Sequence, residues 1–380
     1  MRIFSVFVFF VSFYKIPVLF PYAYISLVFS GFAIIVLTKP VHNRIFLSSI
    51  GLWPLIIVFF IAAYSFSIDV VSGSFFSNFS NSFFVRAASL LVISALPAYF
   101  LVSCCLRWDF HKALDVIVIG FWVQILFWGL TYIDPSLKYF VNSIMGGSEN
   151  SVNLRAHNFD VRGFGISSEI NFTTPFVSVL VCLILIRRKA VSFLTTITQL
   201  VNSNLVLVAV VVAMVFSKIK LRYKVFLAIL GVGLIYFVGE AVFPRLLAEF
   251  SNGGSRTILV LLSKHIVIVN EGLWEHFFGS AVYSFQGGGS VSSDIGWINM
   301  YNYGGAVLLV LYFFFLFFLS ASAFGYGVLG LVWFGAGLIL NTKGLLFSPN
   351  SYFFITFVFL FLNYGARYQG CCMSDKVGAK

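Results

Sequence analysis

Charge is what this chain lacks. Of 380 residues only 10% are Asp, Glu, Lys or Arg, against about 25% in an ordinary soluble domain. A soluble protein must cover its surface with polar side chains, and this sequence does not hold enough of them. Disorder is excluded as well, because 60% of the residues are hydrophobic and 48 are Phe. Cysteine is sparse too, at five residues, and none falls in the long polar stretches, so no structural disulfide is expected there. No CxxC, HExxH or DxD-like cluster argues for a metal, and no Walker sequence is present. The glycine run at 287–289 lacks the Lys-Ser/Thr that a phosphate loop needs and reads as a mobile joint.

What is present is apolar sequence in span-length runs, with a mean hydropathy of +0.99. A helix crossing the hydrocarbon needs about 20 apolar residues. Such runs lie at 3–38, near 46–65, 85–106, 112–132, 170–186, 190–217, 223–240, 303–321, 323–341 and 348–363. LVLVAVVVAMVF at 205–216 shows none of the alternation of a transmembrane strand, so helices are expected rather than a β-barrel. The first run is long enough for two helices, with Lys15 near the turn. No cleavage site marks it as a signal peptide, so it reads as an uncleaved start.

Basic clusters flank 190–217: Arg187, Arg188 and Lys189 before it, Lys218, Lys220, Arg222 and Lys224 after it. The positive-inside rule puts both clusters in the cytoplasm, which requires an even number of passes between them. A tight pair bent around Asn202, Ser203 and Asn204 satisfies this. The alternatives are a re-entrant hairpin or one long span. The expectation is an all-α polytopic membrane protein of about 11–12 spans, a single domain over 1–380, with both termini cytoplasmic. Two long outer loops, roughly 133–169 and 241–302, with Glu240 at the edge of the second, then hold nine of the 13 acidic residues. The net charge of +11 is a topology signal and gives no reason to expect nucleic acid as a partner.

Chemistry in such a chain belongs to the loops. Before one span stands NLRAHNFDVRGFGISSEIN, 153–171, with Arg155, His157, Asp160, Arg162 and Glu169 in fifteen residues. Gly163 and Gly165 permit tight turns, and Ser167-Ser168 can cap the coming helix. Arg162 beside a helix start suits an anion, through paired guanidinium donors and the helix dipole. Arg155 and His157 are either further ligand contacts or ordinary loop residues. In the second stretch, SNGGSRTILVLL opens a helix after Ser255, and the pattern carries on to 269 as an interfacial helix. Arg256 sits on its first turn. Asp294, before the next span, either caps that helix or takes a proton from a substrate hydroxyl. Two arginines at two helix starts suggest one anionic ligand gripped from both loops, and a lipid-linked diphosphate fits.

The order of RGFGISSEINF, a basic internal turn, SRTILV, FFGS and SSDIGWINMYNYGG resembles the O-antigen polymerase (Wzy-type) and O-antigen ligase superfamily, best over about 150–369. The resemblance implies a metal-independent, cofactor-free membrane glycosyltransferase of the bacterial inner membrane. Its substrate would be an undecaprenyl-diphosphate-linked oligosaccharide, polymerised at the periplasmic face into a surface polysaccharide such as O-antigen or capsule. A chain-length regulator and a flippase would share the membrane. Carried over, the first-loop arginine falls on Arg162, with Gly163 and Gly165; the second on Ser255-Arg256. Gly279 precedes the final loop, and the last motif falls on Asp294, Gly296 and Tyr303. No histidine occupies that motif, which favours polymerase over ligase and leaves the general base open: Asp294, Glu169, or substrate-bound electrostatics in its place. The rival class is a transporter for the same lipid-linked glycans.

Overall fold

The computed structural model describes residues 2–14, 21–37, 46–48, 50–73, 82–134, 136–138, 140–141, 165, 167, 172–186, 188–216, 220, 222, 224, 233, 256–282 and 293–377, without the side chains of 21–24, 37, 256–258 and 366–377. The described elements are helical: α1 (Arg2–Phe13), α2 (Pro21–Leu37), α3 (Leu52–Val71), α4 (Phe83–Cys105), α5 (Phe110–Ile133), α6 (Thr173–Ile186), α7 (Lys189–Asn202), α8 (Leu205–Phe216), α9 (Arg256–Lys264), α10 (Leu273–Phe278), α11 (Gly296–Phe324), α12 (Val328–Lys343) and α13 (Ser351–Val377). α3, α4, α5 and α11 are each long and apolar enough to cross a membrane, and α1, α2, α6, α8, α12 and α13 include shorter apolar stretches. Large apolar side chains such as Phe59, Phe60, Leu126 and Val211 point outward. Water would penalise that surface and lipid does not. The chain is an all-helical, multi-span membrane protein.

Several limits follow the sequence closely. α4 and α5 match the apolar runs 85–106 and 112–132, and the run 190–217 is broken into α7 and α8. The break lies at Ser203, whose φ of −148° and ψ of 125° are extended. Others shift. α3 starts at Leu52 because Gly51, with φ +84°, interrupts the run before it. α11 starts at Gly296, seven residues ahead of the apolar run that marks it. The run 223–240 lies outside the described residues, apart from Lys224 and Gly233.

Contacts divide the chain into two compact units: residues 1–8, 25–113 and 260–380, and residues 9–24 and 114–259. In the first unit α11 is central and packs on α3, α10, α12 and α13. α13 is buried on every side from 351 to 362, as expected of a helix that is apolar all round. Its Tyr352 ring stacks on Trp333 of α12 at 5.3 Å, and Trp333 Nε1 donates to Thr356 Oγ1 at 2.7 Å. One end of this unit gathers the start of α1 (Phe4 on Phe100), the Arg107–Trp108 turn, and the exit of α13, where Trp108 fills the notch left by Gly365. Asn363 donates to the carbonyl of Ala323 at the same end. The other end carries residues 265–282 and the first turns of α11.

In the second unit α7 and α8 both pack on α6. Phe9 and Phe13 stack at 5.1 Å, and Phe121 lies edge-on to Phe9 at 6.1 Å and tilted against Phe13 at 5.7 Å. One end is marked by an ion pair, Arg188 Nη2 to Asp115 Oδ1, 2.6 Å. The opposite end is marked by Gly165, which sits beside Thr131, the far end of α5.

Candidate functional site

Much of the first polar stretch lies outside the described residues: Arg155, His157, Asp160, Arg162, Gly163 and Glu169 are all there. Gly165 is described. Its φ is +56°, its N–H donates to Thr131 Oγ1 at 3.0 Å, and a Cβ on it would collide with the Gln124 amide. Only glycine fits such a left-handed, crowded position. Gln124, Trp128 and Thr131 are spaced i, i+4, i+7, one face of a helix, and Trp128 Nε1 donates to Asn202 Oδ1 at 3.2 Å. Ser167 is buried, and α6 begins only at Thr173 with no side-chain cap, so Ser167 does not cap it.

The second stretch is better defined. Ser255 lies outside the described residues. Arg256 opens α9, as the sequence suggests, with its side chain outside the described set. The helix ends at Lys264 rather than running on to 269. The reason is long-range. Asn302 of α11 takes over the backbone of the next residues: its Oδ1 accepts from Val269 N at 3.2 Å and its Nδ2 donates to Val267 O at 2.7 Å.

His265, at the turn out of α9, meets the residues just before α11. Ser293 Oγ donates to His265 O at 2.6 Å, and Asp294 N donates to His265 Nδ1 at 3.1 Å. With Nδ1 accepting, the neutral ring carries its proton on Nε2. That atom faces Asp294 Oδ2 at 3.6 Å. The Asp294 side chain is 70% exposed and His265 is 18% exposed. Asp294 therefore does not cap α11. Ile295 holds the cap position without a side-chain bond. Ser293 accepts from Ile295 N through its Oγ, and its carbonyl accepts from Asn299 Nδ2. The carboxylate is left facing solvent with an imidazole N–H beside it.

Below this pair the backbone of α11 is broken at Gly305, where φ is 61° and ψ −162°. A helix break leaves carbonyls that need partners. Here each is met from another element. Tyr301 O accepts from Asn270 Nδ2 at 3.0 Å, Asn302 O from Ser280 N at 2.9 Å, Tyr303 O from Ala281 N at 3.1 Å, and Gly304 O from Tyr64 Oη at 2.9 Å. The Tyr64 hydroxyl is also 2.9 Å from Phe278 O, so its one proton serves two carbonyls. Gly279, φ +80°, and Gly305 allow this approach: a Cβ on Gly279 would strike the Tyr303 carbonyl, and one on Gly305 the Phe277 carbonyl. Gly296 is a packing position of the same kind, with Asn341 and the Gly344 carbonyl where a Cβ would go.

Tyr303 is fully buried. Its hydroxyl lies 2.9 Å from Ser65 O and from Asp69 Oδ1, and Phe83 stacks on its ring at 4.7 Å. Asp69, a carboxylate with no exposed surface inside α3, is not distinguished by its local sequence. Nearby, His276 Nδ1 is 2.7 Å from the Tyr301 hydroxyl. Glu275 reaches back to the backbone N–H groups of Glu271, at 2.8 Å, and Gly272. Those bonds, the Glu271 one first, hold its carboxyl below the usual range.

Four sequence-derived positions, Gly279, Asp294, Gly296 and Tyr303, thus surround the first turns of α11, with His265, Asn302 and Asp69 as partners the sequence reading missed. For His265 the signal was present, since it breaks the apolar pattern of 255–269. What the arrangement offers chemically is an exposed carboxylate with an imidazole 3.6 Å away, on a loop pinned to a span. Neither a family model, nor a curated protein, nor a solved structure matches this chain, so its function is argued from this chemistry and from the sequence pattern.

Proposed function

We propose that the chain is a glycan polymerase acting at the outer face of the membrane on lipid-diphosphate-linked oligosaccharide units, as the resemblance to the Wzy-type superfamily implies. The observation that carries the reading is the Asp294–His265 pair. An acceptor hydroxyl attacks the anomeric carbon of a second lipid-linked unit. The new C–O bond forms as the bond to the diphosphate breaks, and the hydroxyl proton passes to the Asp294 carboxylate. His265 accepts from the Asp294 backbone N–H and so positions the turn that carries this carboxylate, and a histidine absent from the motif in sequence is supplied from 29 residues away. Arg162 and Arg256 stabilise charge on the departing diphosphate. Lipid anchoring of both substrates supplies proximity. In this reading the basic ends face the cytoplasm.

A second reading has its own support. A broken span and a carboxylate buried within a span are features of transporters, and α11 and Asp69 have them. Detergent solution separates the two, because it has no sides to transport between. Purified protein given lipid-linked repeat units in detergent is expected to make chains. Asp294→Asn is expected to lower the rate about 10²–10⁴-fold, and Arg162→Ala or Arg256→Ala to abolish chains. Full-length chains from either arginine variant would remove the diphosphate clamp. No chains from the wild type, with lipid-linked glycan crossing vesicle membranes, would establish the transporter instead.

A further inference from the structure

The residues of α10 that the proposed chemistry leaves unused form an apolar face. Leu273 and Trp274 are 73% and 76% exposed, and Phe277 and Phe278 are 51% and 45% exposed. Trp274 and Phe278 stack on each other at 5.6 Å. The polar side chains of the same helix are occupied within the protein: His276 with the Tyr301 hydroxyl, Glu275 with the backbone at the helix start. Four large apolar side chains turned outward on six residues are a contact surface.

The height of this face follows from α11. Its 29 residues give a length of about 43 Å, more than the roughly 30 Å of a hydrocarbon core. The sequence divides it at the break. Residues 306–324, AVLLVLYFFFLFFLSASAF, are apolar, whereas 296–304 contain Asn299, Asn302, Tyr301 and Tyr303. The apolar part is long enough to fill the core by itself, and the polar part, beyond the Gly305 break, adds an arm about 13 Å long. α10 is joined to α11 at that division, Gly279 against Tyr303 and Phe277 against Gly305. Its aromatic face is therefore at the level of the division between the polar and the apolar part of α11. Trp and other amphipathic aromatic groups favour the membrane–water interface.

We infer that α10 is an interfacial anchor whose Leu273, Trp274, Phe277 and Phe278 insert into the lipid leaflet, fixing the height of the 265–282 loop against the bilayer. The consequence is positional. Asp294 lies two residues ahead of α11, whose first arm from Gly296 to Gly304 is about 12 Å long, so the anchor holds the Asp294–His265 pair on the water side of the hydrocarbon edge. The inference stands on membrane character alone and does not depend on the glycan reading.

The test uses the full chain in phosphatidylcholine vesicles, with lipid brominated high on the acyl chain as one quencher and aqueous iodide as the other. Subtracting the emission of Trp274→Phe from that of the wild type isolates Trp274. Its emission should be lost to lipid bromine and spared by iodide. A second variant, Leu273→Trp with Trp274→Phe, moves the reporter by one position and should behave alike. Quenching by iodide without quenching by bromine, in both comparisons, would put the face in water. Resistance to both quenchers would mean that a protein surface covers it. Either result overturns the anchor.

Discussion

Two helix breaks in this molecule are made in opposite ways. Between α7 and α8 the chain turns within itself. Ser203 N donates to Gln199 O at 2.9 Å, Val206 N to Ser203 O at 3.1 Å, and Leu207 N to Asn204 O at 3.1 Å. No positive φ is needed there, and Asn202 adds one bond to Trp128. At Gly305 of α11 the φ is positive, and partners come from α3, from Asn270 and from 280–281. Tyr64 is 240 residues away in sequence. Backbone groups in a membrane bundle must find partners in either case. At the first break the backbone bonds named above lie within the turn and join two helices. The second satisfies backbone groups at long range, and so ties a loop, two spans and the Asp294 region into one piece.

That difference is open to graded tests. The largest effect should come from Gly305→Ala or Gly279→Ala. Each puts a Cβ into a facing carbonyl at a positive φ, and we expect a loss of roughly 3 kcal/mol or more, read as thermal unfolding in detergent together with new protease cleavage in 265–282. If both glycine variants unfold like the wild type, the two backbones do not touch. Next comes Asn302→Ala, which strands Val267 O and Val269 N. A cost of about 1–3 kcal/mol is expected, with amide exchange accelerated at Val269 and unchanged in α7. The smallest should be Trp128→Phe, which removes one bond at the local break. Side-chain bonds between membrane helices average about 0.6 kcal/mol, so a loss as large as that of Asn302→Ala would erase the contrast.

The same contrast explains what could be read from the chain beforehand. The limits of α4 and α5, the division of 190–217 and the start of α9 at Arg256 are written locally, in apolar runs and the polar residues that interrupt them. Asn202-Ser203-Asn204 is such an interruption, and the chain turns there. Gly304-Gly305 stands where the polar GWINMYNY meets the apolar run, and nothing local shows that a loop will dock on it. The first turns of α11 read as loop because GWINMYNY is polar, yet Asn299 and Asn302 are buried with hydrogen-bond partners from 265–293. α9 reads as longer than it is, because Asn302 competes for its last residues. His265 and Asp294, and Asp69 and Tyr303, are brought together only by the fold. Gly279 and Gly296 stand out in the sequence only through the family resemblance, and in the fold each is a close packing position.

The account rests on 265–302 being displayed on the side of the membrane opposite the basic turns. The most direct measurement replaces the five native cysteines, introduces Asp294→Cys or Arg188→Cys singly, and treats intact cells with a membrane-impermeant maleimide. The account predicts labelling at position 294 in intact cells and at position 188 only after permeabilisation. Labelling in the reverse order, or at both positions from the same side, would contradict it.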